Sequence, residues 1–168
     1  MATPFVMEAL GAQPRDEFDC GVDALNRYLK SQAGQDIRRG VARCFVAIDA
    51  GSLAIAGYYT LSACHLLLDE IPSTLAKKLP HYPEVPAARL GRLAIDVRFQ
   101  GRKLGASLLA DAALRALRSE VAVVFLLADA KTEAAAAFYR HHGFAPDPQT
   151  PLRHFIPLAT FAKAAGGG

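Results

Sequence analysis

The stretch that most constrains this chain is Arg89 to Ala106, R-L-G-R-L-A-I-D-V-R-F-Q-G-R-K-L-G-A, which runs directly into S-L-L-A-D-A-A-L-R-A-L. An apolar, β-branched run ends at Asp96. A short basic turn with Gly101 and Gly105 follows, and an amphipathic helical pattern opens behind it. A buried strand that feeds a helix through so tight a turn aims the helix N-terminus at that turn. The unpartnered N–H groups of the first helical turn, the positive end of the helix dipole and the side chains of Arg98, Arg102 and Lys103 are then directed at one place, which suits a phosphate.

The rest of the chain supplies a sheet and its cover. Phe5 to Leu10 reads as a first strand. Asp23 is placed to N-cap a helix with Leu25, Tyr28 and Leu29 on one face, ending near Gly34. Strands are expected over Cys44 to Asp49 and Ala54 to Ala63, joined by the turn Asp49-Ala50-Gly51-Ser52. The proline-rich segment from Glu70 to Pro86 predicts a short helix over Ser73 to Leu79 and then an extended loop. Arg89 to Val97 is the central strand, and Ala106 to Arg118 is a helix with Leu108, Leu109, Ala112, Ala113 and Leu117 inward and Asp111, Arg115 and Arg118 outward. Val121 to Leu127 reads as a buried strand, Thr132 to His141 as a helix stopped by Gly143, and Leu152 to Leu158 as a last strand. This order predicts an α/β chain of the α+β mixed-sheet type, with helices on both faces of a central mixed sheet. Residues 1–160 are expected to form a single domain and residues 161–168 a flexible tail.

Composition narrows the function classes. The chain has 168 residues, 52% hydrophobic and 21% charged, which excludes a disordered polymer. Nineteen basic residues stand against 16 acidic ones, a net charge of +3, too small to argue for a nucleic-acid partner by itself. Cys20, Cys44 and Cys64 lack metal-ligand spacing and read as small buried residues of a reducing, cytoplasmic protein, so no metal is expected. The N-terminus carries no signal-peptide pattern. Ser52 to Leu68, broken by Gly57 and His65, is too short to suit a membrane span. His65, His81, His141, His142 and His154 form no catalytic constellation and read as structural.

Gln100-Gly101-Arg102-Lys103-Leu104-Gly105, followed by Ala106, lies where a strand meets a helix. Together with Phe138-Tyr139-Arg140-His141-His142-Gly143-Phe144, it resembles the GNAT superfamily of acetyl-coenzyme A-dependent acetyltransferases. The pyrophosphate motif of that superfamily is Gln/Arg-x-x-Gly-x-Gly/Ala. Gln100 and Gly105 match its ends, and Lys103 stands at the fourth position, where glycine is usual. A lysine fits there if its φ is negative, and its ammonium can then add a phosphate contact. The resemblance implies the GNAT fold, with a splay between strands 4 and 5 that admits the cofactor. It implies cofactor contacts from Leu93, Ala94, Ile95, Arg98, Gln100, Gly101, Arg102, Lys103, Leu104, Gly105, Ala106 and Phe138. The main chain of Leu93-Ala94-Ile95 would take the pantetheine arm and polarise the thioester carbonyl. Tyr139 would protonate the departing thiolate, a role a phenol can fill because it stays protonated at neutral pH. On position alone, Tyr139 could equally be a core tyrosine with its hydroxyl at the surface.

F-D-C-G at Phe18, D-A-L-N-R-Y-L-K at Asp23, G-V-A-R-C-F-V-A at Gly40, A-G-Y-Y-T-L-S-A at Ala56, the stretch from Pro86 to Asp96 and A-A-A-A-F-Y-R-H-H-G-F at Ala134 are similar to the GNAT toxins of bacterial type II toxin–antitoxin modules. That resemblance implies an acceptor, the α-amino group of aminoacyl-tRNA. It also implies a translation-blocking toxin, a ribbon-helix-helix antitoxin and a homodimer. Arg38, Arg39, Arg43, Arg89 and Arg92 are the candidate tRNA contacts. An aminoacyl ester amine is less basic than a lysine side chain, so the lack of an evident general base suits it. A GNAT enzyme for a small amine, a polyamine or a protein N-terminus is the alternative.

Overall fold

The computed structural model describes residues 4–79 and 81–166, with side chains described through residue 162. Its strands form a seven-stranded mixed sheet in the order β1-β2-β3-β4-β5-β7-β6, and the chain divides into two compact units, Met1–Ser62 with Gly91–Ala112 and Ala63–Leu90 with Ala113–Gly168.

The first unit begins with an antiparallel meander of β1 (Phe5–Ala9), β2 (Arg43–Asp49) and the N-terminal part of β3 (Ile55–Leu67), with Phe5 opposite Asp49 and Cys44 opposite Thr60. Alternation gives this sheet two buried faces. Val46, Ile48, Tyr58 and Ala94 face a helical segment that contributes Tyr28, Leu29 and Ala33. On the other face α4 (Leu104–Leu117) lies so close to Gly57 that a Cβ there would stand 3.0 Å from both the Ala94 carbonyl oxygen and Leu108 Cδ1. Buried Tyr59 reaches the same helix and donates to Asp111 Oδ2 at 2.5 Å, so Asp111, expected to face outward, serves the core.

The helical segment is not one regular helix. α1 (Asp23–Arg27) passes into a π-helical turn, Tyr28–Gln32, and then into α2 (Ala33–Arg39). Val22 is the N-cap position, no side chain caps it, and Asp23 lies in the first turn instead. The helix was expected to stop near Gly34. It runs on to Arg39 and stops at Gly40, whose φ of 71° is the left-handed C-cap conformation that glycine adopts without strain. In an α-helix, residues eight apart are about 80° out of line. The wider π turn absorbs that offset, and the Tyr28 hydroxyl donates to Asp36 Oδ2 at 2.7 Å.

β4 (Glu84–Ile95) gives way to a 3-10 turn, Val97–Phe99, at Asp96. Asp96 is fully buried, and its carboxylate accepts four hydrogen bonds: from the Asp19 N–H at 3.0 Å, and from Arg98 through its N–H and Nε at 2.9 Å and a terminal guanidinium nitrogen at 3.0 Å. The Asp96 N–H donates to the Ala56 carbonyl and the Val97 N–H to that of Asp19. Asp19 in turn accepts from the Gly21 N–H and from Asn26, whose own carbonyl takes the Cys20 N–H. The F-D-C-G segment is thereby fixed to the end of β4.

In the second unit β4 pairs in parallel with β5 (Phe125–Asp129) from Ala87/Phe125 to Leu90/Ala128. β4 continues through Ile95 beyond that last pair. β5 pairs antiparallel with β7 (Arg153–Pro157), and β7 with the two-residue edge strand β6 (Ala145–Pro146), which the sequence did not suggest. Only Phe125 onward of the apolar run from Val121 becomes strand, and Val121 itself is 70% exposed. Leu66, Ile71, Val85, Ala87, Phe125, Leu127 and Phe155 form one core cluster, beside the short α3 (Ser73–Ala76). α5 (Glu133–His141) is capped by Thr132, whose hydroxyl accepts from the Ala135 N–H, and closes at Gly143 with φ 94°. A final helix, α6 (Leu158–Gly166), occupies most of the stretch expected to be a tail.

Burial alone would raise the Asp96 carboxyl. The hydrogen bonds from Arg98 and the Asp19 N–H outweigh it and hold Asp96 below the usual carboxylate range. A depressed folded pKa gives stability that is complete above the unfolded value of about 4 and lost as pH falls through the folded one. Asp96→Asn should therefore cost about 3 kcal/mol at neutral pH, since an amide oxygen cannot serve four donors. It should also flatten the loss of stability below about pH 4. Urea unfolding at pH 7 and pH 3 checks both.

Candidate active site

The turn from Arg98 to Lys103 lies in the first unit. Phe99 is its buried anchor, edge-on to Phe5 at 5.9 Å between ring centroids, with the guanidinium carbons of Arg98 and Arg102 each 5.5 Å from its own ring centroid. Gln100 Nε2 donates to the Ile95 carbonyl at 3.1 Å and ties the turn to the strand it leaves. Gly101 has φ 81° and Lys103 φ 61°. Lys103, expected to accommodate a negative φ, thus takes up the left-handed backbone that the motif glycine would supply, at a strain of about 1–2 kcal/mol for a residue with a Cβ.

α4 starts directly behind Lys103. The first i→i−4 bond runs from the Ser107 N–H to the Lys103 carbonyl, so the N–H groups of Leu104, Gly105 and Ala106 have no intrahelical acceptor. Leu104 is buried and holds the helix end in place. Arg102 and Lys103 are exposed beside it. Free N–H groups, a dipole end and two exposed cations make an anion seat suited to a pyrophosphate. Arg98 differs from its two neighbours, because its guanidinium is engaged by Asp96 and lies 4.0 Å from Glu17. A cavity of about 470 Å³ beside Arg98 is bordered by Asp16 and Glu17 and floored by Phe18 and Ile55, so its charge does not suit a phosphate.

On β4, Leu93 and Ile95 are half-buried, and Ala94 is buried in the core beside Tyr28 and Leu29. Of the arginines read as RNA contacts, Arg38 and Arg39 occupy the exposed last turn of α2, and Arg43 opens β2, also exposed. Arg92 is half-buried, with its guanidinium carbon 3.6 Å from the Tyr28 ring centroid.

The second unit holds Arg89, Phe138 and Tyr139. Arg89 is hydrogen-bonded to Asp129, which also accepts from Arg153 Nε at 3.1 Å, while Arg153 stands 3.9 Å from Glu70. The positive charge of Arg89 is therefore spent inside a four-residue ionic chain that no sequence motif announced. Tyr139 is buried to 7% exposure on α5, with ring centroids 5.4 Å from Phe138, 5.3 Å from Phe144 and 6.2 Å from fully buried His154. Phe138 stacks edge-on with His142 at 4.7 Å. Burial, with a lesser push from the Asp129 charge, raises the Tyr139 hydroxyl to about 12, so it remains a proton donor at any physiological pH.

The three cysteines are free. Cys44 is buried, with its thiol pushed up to about 12 by burial, and Cys20 and Cys64 are half-buried. No helix among the described residues is long and apolar enough to cross a membrane.

Residues 40–146 match the acetyltransferase (GNAT) domain family. A tRNA-acetylating toxin of Mycobacterium tuberculosis (strain ATCC 25618 / H37Rv) is 33% identical over 152 residues, covering 89% of each chain. Among solved structures, AtaT complexed with acetyl-methionyl-tRNAfMet superposes with a TM-score of 0.85 at 30% identity, over 96% of this chain and 99% of that one. A tyrosine-to-phenylalanine mutant of the AtaT toxin, bound to the C-terminus of the antitoxin AtaR and acetyl-CoA, gives 0.79 at 25% identity over 98% and 99%. The strand, basic turn and helix at Arg89 to Leu117 and the buried tyrosine of α5 thus lie in a chain that belongs to the GNAT acetyltransferase family.

Proposed function

We propose that this enzyme transfers the acetyl group of acetyl-coenzyme A to the α-amino group of aminoacyl-tRNA. In this reading it is the toxin of a toxin–antitoxin pair in the bacterial cytoplasm, a homodimer held in check by a ribbon-helix-helix antitoxin. The observation that carries the reading is the 33% identity with a tRNA-acetylating toxin along nearly the whole length of both chains.

The chemistry needs little from the protein beyond position and charge. The turn at Gln100 to Lys103 and the N–H groups of Leu104, Gly105 and Ala106 hold the pyrophosphate. Main-chain groups of Leu93-Ala94-Ile95 hold the pantetheine arm, and an N–H there stabilises the oxyanion as the amine nitrogen attacks the thioester carbon. Collapse re-forms the carbonyl and breaks the carbon–sulfur bond. Tyr139 gives its proton to the leaving sulfur, and the new ammonium loses its proton to solvent. The aminoacyl amine is largely neutral between about pH 7 and 8, so water suffices as base. Arg98 acts by fixing the turn through Asp96.

Lys103→Gly should relieve the left-handed backbone and raise stability by about 1 kcal/mol, while weakening coenzyme A binding through loss of one cation. Lys103→Glu should weaken binding further at unchanged backbone strain. Thermal melts and calorimetric titration read the two effects separately. Tyr139→Phe keeps the ring packing and should lower kcat by about 10²–10⁴ with coenzyme A affinity retained. Because the Tyr139 hydroxyl is raised to about 12, the wild-type rate should rise with pH as the acceptor amine deprotonates. It should then show no alkaline decline up to about pH 10, the ordinary tyrosine value. A limb falling near pH 9 would assign the acid role to another group. The acceptor is tested with labelled acetyl-coenzyme A and matched pools of charged tRNA, uncharged tRNA, amino acids, polyamines and protein. Label should enter charged tRNA alone. Label on polyamines or protein instead would overturn the tRNA reading and leave the acetyltransferase intact.

A further inference from the structure

Among the basic side chains near the end of β4, Arg92 has a setting of its own. Arg89 is bonded to Asp129 and Arg98 to Asp96, but the guanidinium of half-buried Arg92 has no hydrogen bond or ion pair among the described residues. Its support is aromatic. Arg92 lies 3.6 Å over the ring of Tyr28, which stacks at 6.3 Å and 15° on Tyr58. Tyr28 is held at its other end by the hydrogen bond to Asp36 that the π turn makes possible, and Tyr58 by a 2.7 Å bond from its hydroxyl to the Leu25 carbonyl. A guanidinium stacked on a fixed ring has its rotamer decided in advance and its N–H edges left for an oxyanion.

The position limits what that ligand is. Arg92 and Ala94 project from the same face of β4, about 7 Å apart along the strand. Ala94 belongs to the segment to which the thioester is assigned above. An oxyanion held at Arg92 therefore lies about two residues along β4 from the segment to which the thioester is assigned. We propose that Arg92, presented by Tyr28, is the contact for an RNA phosphate at the acceptor end of the aminoacyl-tRNA, and that Tyr28 is its positioning residue. This rests on the aminoacyl-tRNA reading of the acceptor. It separates Arg92, seated on an aromatic ring, from Arg38, Arg39 and Arg43, which are exposed cations of α2 and β2.

The test is steady-state acetylation of aminoacyl-tRNA at several salt concentrations, with filter binding of uncharged tRNA and calorimetric titration of coenzyme A on the same proteins. Arg92→Gln should raise KM for aminoacyl-tRNA about 10–100-fold with kcat little changed. It should reduce the slope of log affinity against log salt by about 0.7–1, one phosphate contact fewer. Coenzyme A affinity should stay at the wild-type value. Tyr28→Leu should raise KM about 3–10-fold. Tyr28→Phe, which keeps the ring, should restore it, and Arg92→Gln in the Tyr28→Leu background should cost less than in the wild type. A wild-type KM and salt slope in Arg92→Gln would overturn the proposal. So would a loss shared equally by coenzyme A binding with the salt slope unchanged, the mark of a structural role. If the wild-type enzyme neither binds nor acetylates charged tRNA, the acceptor reading falls and takes this one with it. If it does both while Arg92→Gln is silent, only the assignment of Arg92 falls.

Discussion

The first unit is organised around one buried carboxylate. Asp96 ends the central strand, and its four accepted hydrogen bonds turn that ending into a junction. One bond reaches back to Asp19 and draws the loop before α1 onto the sheet. The others gather Arg98 and start the 3-10 turn that leads to α4. A carboxylate with no exposure is stable only if all its lone pairs are used, which makes the arrangement nearly all-or-none. The position of the α4 N-terminus, and with it the anion seat, follows from that requirement.

Much of this was legible in the residues, and the reasons differ from element to element. α4 and β4 could be read because an apolar run followed by a three-to-four spacing has few other solutions. α5 could be read because Thr132 and Gly143 punctuate it. What escaped has its cause far away along the chain or in geometry that leaves no pattern. The partner of Arg89 lies 40 residues away, and that of Asp96 in the loop before α1 lies 77 away, so the sequence could not separate paired arginines from free ones. The fate of Asp111, on α4, depended on a tyrosine from β3. β6 is two residues long at a sheet edge, where even Pro146 is tolerated, and so short a strand carries no alternation. α6 follows Pro157 in a stretch of small residues that resembles a tail in composition.

Lys103 shows how a family motif can keep its shape while changing its chemistry. The turn needs a left-handed residue at that place, and glycine is the usual supplier. Here lysine adopts the same backbone, and an ammonium group is added where a bare hydrogen would be. Arg98 makes the complementary point. It resembles a ligand by type and position, yet its hydrogen bonds show it to be part of the frame.

The π turn also changes how this helical segment tolerates insertion and loss. In a loop, removing one residue is often absorbed by slack. Between Tyr28 and Gln32 the extra residue is the very thing that lets position 28 face position 36. Removing any one residue there would leave a better helix by local criteria, with every intrahelical bond of the ordinary kind. It would also swing the whole of α2 by about 100° about its axis, carrying Ala33 out of the core and Asp36 away from the ring it anchors. The segment is thus locally suboptimal and globally in phase, and its length is under tighter constraint than its composition.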